Sequence, residues 1–139
     1  MAAVRFTGGC VCGAVRYSVS GPLRPVVACH CRECRRLTGH HWAATRAYRE
    51  DLHIDHDAGL RWFDSSEGVR RGFCGECGAN LFFDRVASAG VTIGAGSLDE
   101  PTGLELVQHI FTAEAGDYYE IADGHPQFAY RGDMPPIEG

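Results

Sequence analysis

Lysine is absent from this 139-residue chain, and all 13 basic residues are arginine. Compositional bias in the source genome is the first explanation. Bidentate recognition of carboxylates by guanidinium groups is the second. No stretch approaches the roughly 20 apolar residues of a membrane span. The start Met1-Ala2-Ala3-Val4-Arg5 is not followed by the apolar run of a signal peptide. The expectation is therefore a cytoplasmic protein with no membrane partner. A net positive charge is also missing: the formal charge is −5 with histidines neutral. That argues against a general nucleic-acid surface, which is usually strongly basic. No long amphipathic helix stands out. The hydrophobic fraction, 45%, is ordinary for one globular domain.

What the chain does have is seven cysteines in three clusters, Cys10-x-Cys12, Cys29-x-Cys31-x-x-Cys34 and Cys74-x-x-Cys77. An odd number cannot be fully paired in intramolecular disulfides. In a reducing compartment such spacing reads as metal ligands or redox thiols. Seven is the number that a complete four-thiolate site and an incomplete three-thiolate site would use. Cys74-Gly75-Glu76-Cys77-Gly78 has the form of a metal-binding turn, and Cys10-Val11-Cys12-Gly13 offers it a second pair of thiolates. Such a site would tie the amino-terminal region to the middle of the chain. A metal on Cys29, Cys31 and Cys34 would keep one tetrahedral position for water, a substrate thiolate or a fourth protein ligand. His30 is the rival ligand; its ring could instead turn away. Zinc is the expected metal. Iron is the alternative, and a redox dithiol is another for Cys74 and Cys77.

Eighteen glycines are spread along the chain, which suggests many turns between short strands. Strands are expected at 14–19, 26–28, 42–48, 60–63, 80–83 and 91–93. Leu104 to Phe111 reads as the longest strand, largely covered on both sides. One helical turn or short helix is expected from Arg32 to Thr38, before Gly39. The fold class is mainly β, with small sheets held at their loops by metal. A single domain is expected over 3–131, and a flexible tail over 132–139 unless it docks on a neighbour.

Three ordered motifs carry a family resemblance over most of the chain. They are Gly8-Gly9-Cys10-Val11-Cys12-Gly13-Ala14-Val15, Cys29-His30-Cys31-Arg32-Glu33-Cys34-Arg35-Arg36 with Gly39, and Arg70-Arg71-Gly72-Phe73-Cys74-Gly75-Glu76-Cys77-Gly78 with Leu81. His109-Ile110-Phe111 and Asp123-Gly124-His125-Pro126 resemble the closing part. The set resembles the glutathione-dependent formaldehyde-activating enzyme family, whose domain is shared with centromere protein V. The resemblance implies a β-tent, Mss4-like fold. It implies two zinc ions, a structural one on Cys10, Cys12, Cys74 and Cys77 and an open, catalytic-type one on Cys29, Cys31 and Cys34. It also implies a carbon–sulfur lyase that forms or cleaves S-hydroxymethylglutathione or a related thiol adduct, with glutathione as co-substrate. Glu33 stands where family sequences often carry Asp or another small polar residue.

The partner expected is then a small thiol or aldehyde adduct; a homo-oligomer is compatible with the sequence. Arg32, Arg35 and Arg36 lie beside the triplet and Arg70 and Arg71 beside the other cluster. Each is a candidate for a glutathione carboxylate, against a solvated surface role. His40 and His41 are candidates for proton transfer. His109, in an apolar strand, reads as a buried, hydrogen-bonded structural histidine. No general base and no glutathione-contact motif is assigned. Two other functions compete: a zinc-stabilised binding or structural domain without catalysis, and thiol redox or metal handling.

Overall fold

The computed structural model describes residues 3–138; Met1, Ala2 and Gly139, the last of the expected tail, lie outside them. The chain is mainly β. Its strands are β1 (Phe6–Gly9), β2 (Arg16–Val19), β3 (Val26–Cys29), β4 (Trp42–Tyr48), β5 (Leu52–His56), β6 (Leu60–Ser66), β7 (Val69–Cys74), β8 (Asn80–Arg85), β9 (Gly90–Gly94) and β10 (Leu106–Ile110). One short helix, α1 (Arg32–Thr38), interrupts the order between β3 and β4. Two sheets result, a three-stranded one in the order β1-β2-β5 and a seven-stranded one in the order β10-β3-β4-β9-β8-β7-β6. All pairs are antiparallel except β10 with β3.

Side chains alternate across a strand, so each face of the large sheet has its own composition. One face joins the small sheet around a core of Val15, Tyr17, Val19, Ala47, Phe82, Val91 and Ile93. Tyr17 is almost fully buried. Its hydroxyl is satisfied by Ser97 Oγ at 2.6 Å, and burial pushes its pKa up to about 12. The opposite face carries Trp42, Ala44 and Arg46 on β4, Val27 and Cys29 on β3, and Phe83 and Arg85 on β8; it floors an open cleft.

Helix α1 begins and ends where its sequence says it should. Cys31 caps the start, its Sγ accepting from the Cys34 N–H at 3.3 Å. Gly39 follows in the left-handed region at φ 87°, where glycine carries no Cβ penalty.

Three strands were not expected: β1, β5 and β7. Each is rich in glycine or charge, which lowers strand propensity. β7 holds because it is hydrogen-bonded on both sides, to β6 and β8. The span read as the longest strand is shortened at both ends. Gly103 has φ 69° and Phe111 φ 55°, both outside strand geometry, and β10 runs only from Leu106 to Ile110. The residues after β10 return along the sheet. Phe111 N–H donates to the Tyr130 carbonyl at 2.8 Å, Gln108 Nε2 to the Asp133 carbonyl at 2.8 Å, and the Tyr48 hydroxyl to Glu138 at 3.0 Å.

Asp84 anchors the β7–β8 pair. It is 1% exposed and accepts from Arg49 Nη2 at 2.7 Å and Arg70 Nε at 3.0 Å. The Arg70 guanidinium also lies 3.8 Å from the centre of the Trp62 ring. Burial alone would raise the Asp84 pKa, but the two arginines outweigh it and hold the carboxyl below its ordinary value. Stability from this group is therefore present above its unfolded value of about 4 and is lost as pH falls through the folded value. Asp84→Asn is expected to cost about 2 kcal/mol at pH 7 and to flatten stability between pH 5 and pH 3 (roughly). Urea denaturation across that range measures both effects.

Candidate metal centres and their cleft

The loop after β1 and the turn after β7 bring four cysteines together. Cys10 Sγ lies 3.7 Å from Cys12 Sγ, and Cys12 Sγ lies 3.8 Å from Cys74 Sγ. All four sulfurs, with Cys77, fall within 4.8 Å of one another. Thiolates at about 2.3 Å from a tetrahedral ion are separated by roughly 3.8 Å, so the spacing fits one. The backbone tightens around the sulfurs. Val15 N–H points at Cys10 Sγ at 3.2 Å, Gly75 N–H donates to the Gly59 carbonyl at 2.7 Å, and Gly59 N–H to the Ala14 carbonyl at 3.0 Å. A Cβ at Gly59 would lie 2.8 Å from Cys74 Sγ, so only glycine lets the turn between β5 and β6 pass. A backbone hydrogen bond from Ala79, then one from Cys12, lowers Cys77 to about 6. Cys12 gains a bond from Ala14 that lowers it, but burial and its thiol neighbours prevail and raise it to about 11. The four sulfurs compete for negative charge.

The triplet is built on the β3–α1 junction. Cys29 ends β3, Cys31 caps α1, and Cys34, 2% exposed, lies in the helix's first turn. Their sulfurs also fall within 4.8 Å of one another. Hydrogen bonds from Cys29 and then Cys34 pull Cys31 down to about 2. Cys29, donating to Cys31 and Cys34, is raised. The Cys29 contact lowers Cys34, but Cys31 and burial prevail and raise it to about 11. Among the described residues each cluster could hold a metal ion.

The two clusters differ in their surroundings. Cys29, Cys31 and Cys34 line a cleft of about 900 Å³, together with Trp42, Phe83, Glu33, Glu114 and arginines 24, 46, 71, 85 and 131. None of the other four cysteines lines it. Adjacency in sequence places Arg71 beside the four-cysteine cluster; the structure puts it at the triplet. It is 4% exposed, pairs with Glu33, and sends Nη2 to 3.7 Å from Cys34 Sγ. Its guanidinium lies 4.8 Å from the Phe83 ring centre, and its Nη1 is buried with no partner. The long side chain of Glu33 is thus what reaches Arg71.

His30 is not arranged as a fourth ligand. Nδ1 meets the Tyr119 hydroxyl, and Nε2 lies 2.9 Å from His109 Nδ1. His109 Nε2 continues to Asp123 Oδ2 at 2.7 Å. Both nitrogens of both buried histidines are therefore engaged, and the chain of four groups holds the Cys29–Cys31 backbone from behind. Burial, then the neighbouring imidazoles His41, His109 and His40, lowers His30 to about 4, which keeps it neutral near pH 7. His30→Ala would leave a cavity and strip Tyr119 and His109 of a partner. The expected cost is about 3 kcal/mol, read from urea denaturation of the variant.

Not every candidate reaches the cleft. His40 bonds the Tyr118 hydroxyl at 2.7 Å, and neither it nor His41 lines the cleft. Arg32, Arg35 and Arg36 do not line it either, and Arg70 is committed to Asp84. The arginines that do, apart from Arg71, escaped the sequence reading. A signal existed for Arg46: Trp42, Ala44 and Arg46 share one face of β4 by simple alternation.

Residues 5–114 match the family model described as glutathione-dependent formaldehyde-activating enzyme. The chain belongs to that family. The match covers all seven cysteines and the strands β3, β4, β7 and β8 that carry Cys29, Trp42, Arg71 and Phe83 into the cleft. A crystal structure of a Rhodobacter sphaeroides protein is similar, with a TM-score of 0.58 and 26% identity. The similarity covers 68% of this chain and 88% of that one. Among the described residues no helix is long and apolar enough to cross a membrane.

Proposed function

We propose that this protein is a zinc enzyme of the carbon–sulfur lyase type that forms or cleaves S-hydroxymethylglutathione or a closely related thiol–aldehyde adduct. Cys10, Cys12, Cys74 and Cys77 hold a structural zinc within a β-tent, Mss4-like fold, and Cys29, Cys31 and Cys34 hold a second zinc open to substrate. The observation that carries this reading is the difference between the clusters: the three sulfurs face a cleft and the four do not. The hydrogen bonding of His30 supports it, since a triplet capped by that histidine would have no place for a substrate.

Zinc on three thiolates would supply a position at which a substrate thiol loses its proton more readily than in water. The protein's own groups set the rest. Arg71 places a positive charge against Cys34 and so offsets part of the anionic charge of the three sulfurs. Trp42 and Phe83 supply apolar walls beside the three sulfurs. In the synthetic direction the thiol proton leaves, the sulfur electron pair forms a bond to the carbonyl carbon of formaldehyde, and the carbonyl π pair takes up a proton. In the lyase direction the hydroxyl proton leaves, the carbon–sulfur bond breaks, and the thiol is restored. No redox partner is required.

Two-dimensional exchange NMR with ¹³C-formaldehyde and glutathione tests this directly. Protein carrying two zinc ions is expected to speed adduct exchange above the uncatalysed rate, and Cys31→Ser to abolish the gain. Exchange at the uncatalysed rate with both sites filled would overturn the reaction.

A further inference from the structure

The cleft extends well beyond the triplet, and its far end holds charge that the zinc reading does not use. Arg24 and Arg46 lie together there, because the Arg24 N–H donates to the Arg46 carbonyl at 3.0 Å and Leu23 bridges Ala47. Arg131 joins them from the returning segment that Tyr130 and Asp133 anchor to β10. The Arg24 side chain lines the cleft although the residue is 5% exposed. Its hydrogen bonds go to the carbonyls of Pro25 and Ala44, at 3.3 and 3.1 Å. Among the described residues none of the three arginines has a carboxylate partner.

This is an unfavourable arrangement for an empty cleft. Burial, then repulsion from Arg46 and Arg131, lowers Arg24 to about 10. Burial, then Arg131, also lowers Arg46. The chain as a whole carries a formal charge of −5, so the concentration of positive charge is local. Glu33, Glu67 and Glu114 line the cleft as well, but the charges that act on Arg24 and Arg46 are arginines, and a concave surface of one sign focuses its field on a ligand of the other sign.

The spacing fixes what sort of anion fits. Trp42 stands opposite Cys29 in the β3–β4 register, and Arg46 follows four residues later on the same face. The arginine end is therefore about 13 Å along the strand from the triplet. Glutathione carries its thiol on the central residue, so the arm from sulfur to a terminal carboxylate covers about 7–10 Å, and the arginine side chains reach over the remainder.

We propose that Arg24, Arg46 and Arg131 form a carboxylate subsite that holds a terminal carboxylate of a peptide thiol while its sulfur lies at Cys29, Cys31 and Cys34. The identity of the ligand rests on the proposed thiol chemistry; the anion site itself does not. Guanidinium forks bind carboxylate and phosphate alike, and the test separates the two.

Isothermal titration with S-methylglutathione, whose sulfur is capped, reads the subsite without requiring the triplet. S-methylglutathione is expected to bind the wild-type protein, and its diethyl ester to bind at least about tenfold more weakly. The double variant Arg46→Ala/Arg131→Ala should weaken S-methylglutathione by about tenfold or more while keeping the wild-type melting temperature. Arg24 is left in place because it is buried. Cys29→Ser/Cys31→Ser/Cys34→Ser should retain the wild-type affinity. Equal binding of the ester, or unchanged binding in a folded double variant, would overturn the subsite. Inorganic phosphate binding as tightly as S-methylglutathione would overturn its assignment to carboxylates. Binding as described, without catalysed adduct exchange, would overturn the proposed reaction and leave the subsite standing.

Discussion

Cys74→Ser is expected to remove one of two metal ions and to lower the melting temperature by about 10 °C or more. Cys74 is fully buried, and its sulfur meets that of Cys12, 62 positions away in sequence. A link closing a loop of that length is worth about 4 kcal/mol in the chain-entropy account. Serine keeps the size but lacks a thiolate. The loop after β1 would then be tied to β7 and its surroundings mainly by the Gly59–Ala14 and Gly75–Gly59 backbone bonds.

Cys31→Ser provides the contrast. It should also remove one metal ion, but the triplet closes only a few residues between β3 and α1, so little loop entropy is at stake. Serine is moreover a good helix N-cap and can replace Cys31 in that role. The melting temperature of Cys31→Ser should stay within about 3 °C of wild type. Differential scanning calorimetry with metal analysis on both variants measures the difference. Equal destabilisation would mean that the two clusters do not divide into a structural and an open site.

Arg71→Met is the second large expected effect. Arg71 is buried between Glu33, Cys34 and Phe83. Methionine fills part of the space but brings no charge to Cys34. The loss of a group that orients and neutralises a ligand typically costs 10–100-fold (roughly) in metal affinity. The triplet should therefore release metal to a chelator about 10–100 times more readily, while the four-cysteine site is unchanged. Arg71→Lys should recover only part of the effect, because an ammonium cannot address Glu33 and Cys34 with a planar fork. Competition with a chromogenic chelator resolves the two sites. Parallel loss from both would show that Arg71 acts on the whole fold.

These expectations depend on features that the sequence showed unequally. The bounds of α1 were readable because Cys31 and Gly39 mark its ends with specific backbone chemistry. β4 was readable from its alternation, which is local. β7 was hidden, since two arginines and a glycine argue against a strand until β6 and β8 are known to flank it. The same blindness misplaced Arg71. It stands three positions before Cys74, but three residues of extended chain span about 10 Å. Proximity in sequence therefore suggested the wrong cluster. Arg24 and Arg131 converge on Arg46 only through pairings across the fold, which no local pattern announces. The cysteine clusters were legible because their spacing is local chemistry; the cleft that distinguishes them is tertiary.

X-ray absorption at the zinc edge, on protein holding two zinc ions per chain, tests the central division most directly. Four thiolates at one site and three at the other predict a mean of about 3.5 sulfurs per zinc, rising to about 4 when glutathione is added. A value already near 4 without glutathione, or one that glutathione does not change, would contradict an open triplet that receives the substrate thiol.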